Sequence, residues 1–234
     1  MTLTAKQLKK AARIILVGAP GVGKGTQTER LLSSFPELAS ISSGDLLREN
    51  VRKKTSLGLE AEATIQAGNL VPDSMILNLI SSEFRARNWL SQSPRSSISS
   101  SASFILDGFP RTASQATSLD SLVPINFVVH LVTPPSIILS RIASRWVHEP
   151  SGRVYNTDFN APKVPGKDDV TGEPLTQRED DSIDTWKQRL HKFEETSKAL
   201  LQHYQDKGCL WRVEGNSSDE ITPKLLAEFE RKFC

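Results

Sequence analysis

Cysteine is scarce in this chain of 234 residues: Cys209 and Cys234 stand 25 positions apart near its end. Two such thiols are no disulfide framework, and they read as reduced cysteines in a reducing compartment. No apolar run is long enough to cross a membrane as a helix. Nor is there an excess of one charge, since 29 basic residues against 27 acidic ones leave a net charge of +2. That balance argues against nucleic acid as the principal partner, because duplex binding shows as a strong basic surplus. It leaves room for small anionic ligands, which need only a local cluster of Arg and Lys. Acid is also missing from the start: Lys6, Lys9, Lys10 and Arg13 precede the first acidic residue, Glu29. Two readings of this start stand side by side, a mitochondrial targeting segment and an ordinary frayed terminus. In the first, cleavage would fall before Arg13, where the first strand begins.

What is present fits a globular α/β protein, with 38% apolar and 24% charged residues. The apolar run at 14–17, closed by Gly18, reads as a buried strand, and helical patterning follows over 24–35. Further helices are expected at 43–54, 58–67 and 72–87, in a segment after Pro134-Pro135 that runs through Arg145, and at 218–233. Strands are expected at 103–106, 126–132 and 210–213. Strands alternating with helices indicate a parallel sheet wrapped by helices. Two segments break the rhythm. Residues 91–103 are dominated by serine and read as a solvated loop without chemistry. Residues 146–181 are rich in Gly, Pro, Asp and Thr, yet carry Val154, Tyr155 and Phe159 in near alternation. They read as a small β-rich flap, and an insert of that length is often a lid.

The most informative string is Gly18-Ala19-Pro20-Gly21-Val22-Gly23-Lys24-Gly25-Thr26. Its Gly-x-x-x-x-Gly-Lys spacing, after a strand and at the mouth of a helix, is that of a phosphate-binding loop. Glycines let backbone N–H groups turn inward as a nest for phosphate oxygens, and the helix N-terminus adds partial positive charge. Lys24 can reach the outer phosphates. The residue after the lysine is Gly25 instead of the usual Ser or Thr, so metal coordination by a loop hydroxyl is not expected. With no Asn-Lys-x-Asp guanine-reading motif either, a switch GTPase is not expected. Asp107 closes an apolar strand and reads either as a Walker B-like carboxylate or as a plain helix or turn cap.

The phosphate-loop string resembles that of the adenylate kinase family. Ser42-Ser43-Gly44-Asp45-Leu46-Leu47-Arg48 is similar to that family's monophosphate-binding helix, and Leu106-Asp107-Gly108-Phe109-Pro110-Arg111-Thr112 to its strand-end motif. The stretch 145–181 is similar to its long lid, ending in Arg178-Glu179-Asp180-Asp181. The resemblance covers the chain apart from its first dozen residues and the serine insert. It implies a P-loop fold with a five-stranded parallel sheet: core 13–41, 72–143 and 182–234, monophosphate-binding insert 42–71, lid 144–181, and a basic extension 1–12. It further implies phosphoryl transfer from a triphosphate to AMP. The donor would lie over Gly21, Val22, Gly23, Lys24, Gly25 and Thr26, with Arg145, Val154, Tyr155 and Ser217 around its base. AMP would be held by Ser43, Arg48, Asn69, Leu70, Val71, Gly108, Phe109, Pro110, Arg111, Gln115, Arg178 and Arg189. Arg141 would join Lys24 and Arg145 at the transferring group, and Asp107 would orient water around Mg²⁺. Six arginines, 48, 111, 141, 145, 178 and 189, thus fall where charge must be stabilised.

Within that family, Ser43, Arg145-Trp146 and Thr171-Gly172-Glu173-Pro174 point to the branch that uses GTP as donor, with ITP as a second candidate, in the mitochondrial matrix. An ATP-using enzyme, a cytoplasmic location and a regulatory module that holds nucleotide without turnover are the alternatives. A monomer, with no nucleic acid or membrane partner, is the expectation. In the lid, His148-x-x-Ser151 and Asp168-x-x-Thr171 occupy positions that in the family hold either zinc or a hydrogen-bonded polar quartet. Structural zinc favours cysteine-rich sets, so the quartet is expected, and no structural zinc.

Overall fold

A computed structural model describes residues 7–66, 71–90, 98–99, 101–157, 160–177 and 183–234. Five parallel strands form one sheet in the order β2-β3-β1-β4-β7: β1 (Arg13–Val17), β2 (Ala39–Ser42), β3 (Phe104–Asp107), β4 (Phe127–Val132) and β7 (Leu210–Glu214). The fold expectation is met. In β1 the apolar residues alternate between two cores, as a period of two requires. Ile14 and Leu16 join Phe127, Val129 and Val213 on one face. Ile15 and Val17 join Ile41, Phe104, Leu106 and Val128 on the other.

Helices cover both faces. Against the first lie α1 (Lys24–Ser34), α6 (Pro135–Ala143) and α8 (Ser218–Phe233). Against the second lie α4 (Asp73–Ala86) and α5 (Ala113–Leu122), while the long α7 (Ile183–Asp206) contributes Trp186 to one core and Leu200 and Tyr204 to the other. Two further helices, α2 (Ser43–Arg52) and α3 (Ser56–Gln66), pack together outside the sheet. Their approach needs Gly58, whose Cβ would stand 2.0 Å from the Asn50 carbonyl oxygen. β5 (Arg145–His148) and β6 (Arg153–Asn156) form a separate antiparallel hairpin, the flap expected from the sequence.

Several boundaries differ from expectation. The helix after Pro134-Pro135 stops at Ala143, and Arg145 opens β5 because Trp146 and Val147 pair with Tyr155 and Val154 across the hairpin. The extension expected over 1–12 ends earlier. Lys9 N donates to Phe233 O at 2.8 Å, Leu8 packs on the core, and Ala12 is fully buried. The serine-rich insert is not simply solvated. Ile98, Ala102 and Ser103 are buried, and Ser103 Oγ accepts from Ala12 N at 3.2 Å. No described helix is long and apolar enough to cross a membrane.

Candidate active site

The carboxyl ends of the parallel strands meet along one edge, where open α/β sheets bind ligands. Register sets Asp107 of β3 beside Leu16 of β1 and Ser42 of β2. The loop after β1, the turn after β3 and the start of α2 therefore converge without any long reach of side chain.

In the loop, Gly21 and Gly23 have φ of 84° and 102°, backbone that residues with a side chain rarely adopt. Gly23 is the N-cap of α1, which has neither a side-chain cap nor an acid in its first turn. Its first N–H groups are thus left for an anion. Beside Gly25 an added Cβ would meet nothing within 4 Å, so the backbone there faces open space. Lys24 Nζ donates to Gly18 O at 2.9 Å and Ala19 O at 3.2 Å. Burial pushes the pKa of this ammonium down, Asp107 works to raise it, and Arg111 and Arg145 add to the lowering. Val22 is buried, so its share in a donor site is its backbone.

At the end of β3, Gly108 takes φ of 83°, and a Cβ there would meet Ser43 Oγ at 2.7 Å. The buried Ser43 thus sits against the strand-end motif. Phe109 is packed into the core and a cis peptide joins it to Pro110. Arg111 Nε donates to Gly108 O at 2.7 Å, which leaves its terminal nitrogens to other partners. Burial lowers the Arg111 pKa, the Arg189 and Arg48 charges lower it further, and Asp107 opposes them. Arg145 and Arg111 thus act on Lys24, Arg48 and Arg189 act on Arg111, and Asp107 acts on both, while Arg48 is itself paired with Asp45. Gathering so many like charges is costly unless an anion compensates them.

Three side chains of the expected site are engaged within the protein. Arg141 is not among the groups acting on Lys24. Its Nη1 donates to Val22 O at 3.2 Å and its Nη2 to Asn216 O at 2.8 Å, because the last turn of α6 faces the loop between β7 and α8. It lies against the backbone of the loop at Val22 and Gly23. Gln115 turns both polar atoms inward, Oε1 accepting from Arg111 N at 2.6 Å and Nε2 donating to Asp73 Oδ1 at 2.6 Å. Tyr155 is buried in the lid with its hydroxyl on Asp168 Oδ1 at 2.9 Å, so only its backbone is left for a base. Ser217 caps α8, accepting from Glu220 N at 3.2 Å. Val71 lies half-buried before α4 and Val154 half-buried on β6. Asn69, Leu70 and Arg178 lie outside the described residues, as does Phe159 of the flap.

The lid is organised around His148 and Asp168, both buried. His148 Nδ1 bonds Ser151 Oγ at 2.7 Å, and Thr171 Oγ1 donates to Asp168 Oδ2 at 2.9 Å while standing 3.3 Å from His148 Nε2. The set is larger than four. Arg153 grips Asp168 with Nε on Oδ1 at 2.8 Å and Nη2 on Oδ2 at 2.6 Å, and Glu173 Oε2 lies 2.6 Å from His148 Nε2. The guanidinium above all, helped by the Thr171 and Tyr155 donors, holds the Asp168 pKa far below the usual carboxylate range. With both its oxygens engaged this way, the set does not suit zinc. Arg153 and Glu173 escaped the motif reading because neither belongs to the two Xaa-x-x-Xaa pairs. The excess of charge on Asp168 could have flagged a missing cation.

Comparison with known proteins agrees with this geometry. The adenylate kinase family model matches residues 16–209. A Saccharomyces cerevisiae protein named "GTP:AMP phosphotransferase, mitochondrial" is 48% identical over 241 residues, covering the whole of both chains. A Drosophila melanogaster protein of the same name is 41% identical, covering 92% of this chain and 94% of its own. An adenylate kinase of Buchnera aphidicola is 42% identical, covering 82% and 85%. With the family model matching most of its length and relatives 41–48% identical over at least four fifths of it, this chain belongs to the adenylate kinase family.

Proposed function

We propose that this protein is a nucleoside monophosphate kinase that transfers the terminal phosphoryl group of GTP reversibly to AMP, giving GDP and ADP. One observation carries the reading: at the carboxyl ends of the sheet Asp107 and Arg111 act on Lys24 together with Arg145, and Arg48 and Arg189 act in turn on Arg111. Binding one nucleotide needs fewer cations. Two nucleotides brought phosphate to phosphate need them all, and the loose transition state spreads charge over the equatorial oxygens that they would contact.

The acceptor is an ionised phosphate, so no general base is required. An AMP phosphate oxygen attacks the terminal phosphorus, and the bond from that phosphorus to the bridging oxygen of the donor breaks. Lys24, Arg111 and Arg145 would stabilise the charge on the group in flight, with Arg178 as a further proposed contact. Ser43, Arg48, Val71, Gly108 and Arg189 would border AMP, with Asn69 and Leu70 beside its base. Arg141, Val154 and the turn at Asn216–Ser217 would flank the donor base. Gln115 would act by holding Arg111. Water is the competing nucleophile, and the lid would exclude it.

The strand-end carboxylate of Asp107, close enough to Lys24 and Arg111 to shift both, fits the water shell of a hydrated Mg²⁺. Bound with the donor, Mg²⁺ would neutralise charge across the outer phosphates.

The GTP preference rests on the names of the yeast and fly relatives. The bacterial relative named adenylate kinase keeps ATP as the second reading. Those names also motivate a mitochondrial matrix location, with the monomer as the proposed state. ADP formation from AMP with GTP, ATP and ITP in turn decides the donor, and a higher kcat/KM with ATP than with GTP overturns the assignment. No ADP with any donor would indicate a module that binds without turnover. Import into isolated mitochondria with protease protection tests the location.

A further inference from the structure

The phosphate loop is held from outside by a residue that belongs to no nucleotide motif. Trp186, in the first turn of α7, is 3% exposed and packs in the core beside Ile138 and Ile142. Its indole Nε1 donates to the carbonyl oxygen of Pro20 at 2.9 Å, across 166 positions of sequence. An indole has one N–H and no acceptor, so this bond is its whole polar capacity.

The consequence follows from the planarity of the peptide. In a trans unit the C=O of one residue and the N–H of the next point in opposite directions. A donor that pulls the Pro20 carbonyl toward α7 therefore aims the Gly21 N–H away from α7. On either side the loop is restrained by other means. Lys24 Nζ takes the carbonyls of Gly18 and Ala19, and Val22 N donates to Ala19 O at 3.1 Å. Gly21, with φ of 84°, presses on α6, where a Cβ would stand 2.8 Å from Ile138 Cγ2 and 2.9 Å from Ile142 Cδ1. Within this loop the Pro20–Gly21 peptide is the unit that Trp186 controls. A proline carbonyl at this point has no helix or sheet partner of its own.

We infer that Trp186 is a positioning residue for donor binding: its indole N–H fixes the Pro20–Gly21 peptide so that the Gly21 N–H takes its place in the phosphate nest. The inference rests on the proposed nucleotide site. It also explains why a tryptophan, costly to bury unless its N–H is bonded, stands at the start of α7.

The test is Trp186→Phe in the full chain, with steady-state kinetics for each substrate at saturation of the other. Losing one aligned donor predicts a fall of about tenfold in kcat/KM for the donor triphosphate. KM for AMP stays within about twofold, as expected for a defect confined to one subsite. Since phenylalanine also leaves a packing gap, a second variant replaces Trp186 by benzothienylalanine, which keeps both rings and deletes only the N–H. The same selective loss there, with an unchanged thermal midpoint, supports the assignment. Unchanged donor kinetics in the benzothienyl variant overturns it and leaves Trp186 a packing residue. Equal losses for donor and AMP overturn it too, since they mark a general distortion. Wild-type protein forming no ADP at all defeats the function itself and not this inference.

Discussion

The ammonium of Lys24 folds back on the carbonyl of Gly18, six residues earlier, at 2.9 Å. This places the charge inside the curve of the loop, where burial and the Arg111 and Arg145 charges lower its pKa and Asp107 supports it. A cation held this way is positioned for the outer phosphates without a search. Lys24→Met keeps the length and removes the charge. It is expected to lower kcat by about two orders of magnitude. The thermal midpoint should move by no more than about 3 °C, since an unfavourably placed cation is lost along with its two hydrogen bonds. Normal turnover would remove Lys24 from the proposed chemistry.

Arg111 tests the fork geometry. Its Nε is spent on Gly108 O, and Gln115 Oε1 holds its backbone N–H, so the guanidinium plane is fixed before any substrate arrives. Arg111→Lys preserves the charge but has no Nε to anchor and no pair of parallel donors to offer. A fall in kcat of about two orders of magnitude is therefore expected even for this nominally conservative change. Activity within about threefold of wild type would mean that charge alone suffices there.

How far the sequence spoke depends on the range of the interaction behind each feature. The phosphate loop was legible because its glycine spacing follows from local backbone demands at Gly21 and Gly23. Asp107 was legible because it ends an apolar strand. β2 was not located, since Ala39-Ser40-Ile41-Ser42 is short, half polar and lies at the sheet edge. The end of α6 was missed because Arg145 continues a helical pattern until Trp146 and Val147 find partners across a hairpin. Arg141 was assigned to the reacting group through the family resemblance, and the packing of α6 turns it toward Val22 and Asn216. The Trp186 contact joins residues 166 positions apart and leaves no pattern in either segment.

In the lid, Asp168 makes stability depend on pH in a definite direction. Its folded pKa lies below that of the unfolded chain, chiefly through Arg153. The carboxylate therefore contributes stability above the ordinary range, near about pH 4. That contribution is lost as pH falls below it. Asp168→Asn removes the titrating group and leaves Arg153 without its counter-charge. The variant should be less stable than wild type at pH 7, and the gap between their thermal midpoints should narrow by pH 3. A gap that stays constant with pH would show that the carboxylate charge is not what holds the lid.

The donor wall offers a test of Arg141 that leaves Arg141 untouched. Glu220 Oε2 accepts from Asn216 N at 2.9 Å, and Asn216 O accepts from Arg141 Nη2 at 2.8 Å. Ser217 completes the turn by capping α8 through Glu220 N. The carboxylate thus holds the backbone on which the guanidinium rests, and it also strengthens the helix start through the macrodipole. Glu220→Ala should cost about 1 kcal/mol of stability as a cap loss. It should raise KM for the donor by about threefold to tenfold, because Arg141 loses a fixed seat beside the base. KM for AMP should not change, since no part of this chain of contacts reaches the strand-end arginine. Glu220→Gln keeps an acceptor for the Asn216 N–H and should recover most of the donor KM while lacking the charge. If alanine and glutamine raise the donor KM alike, the charge of Glu220 matters there and not its hydrogen bond, and the route through Asn216 to Arg141 is refuted.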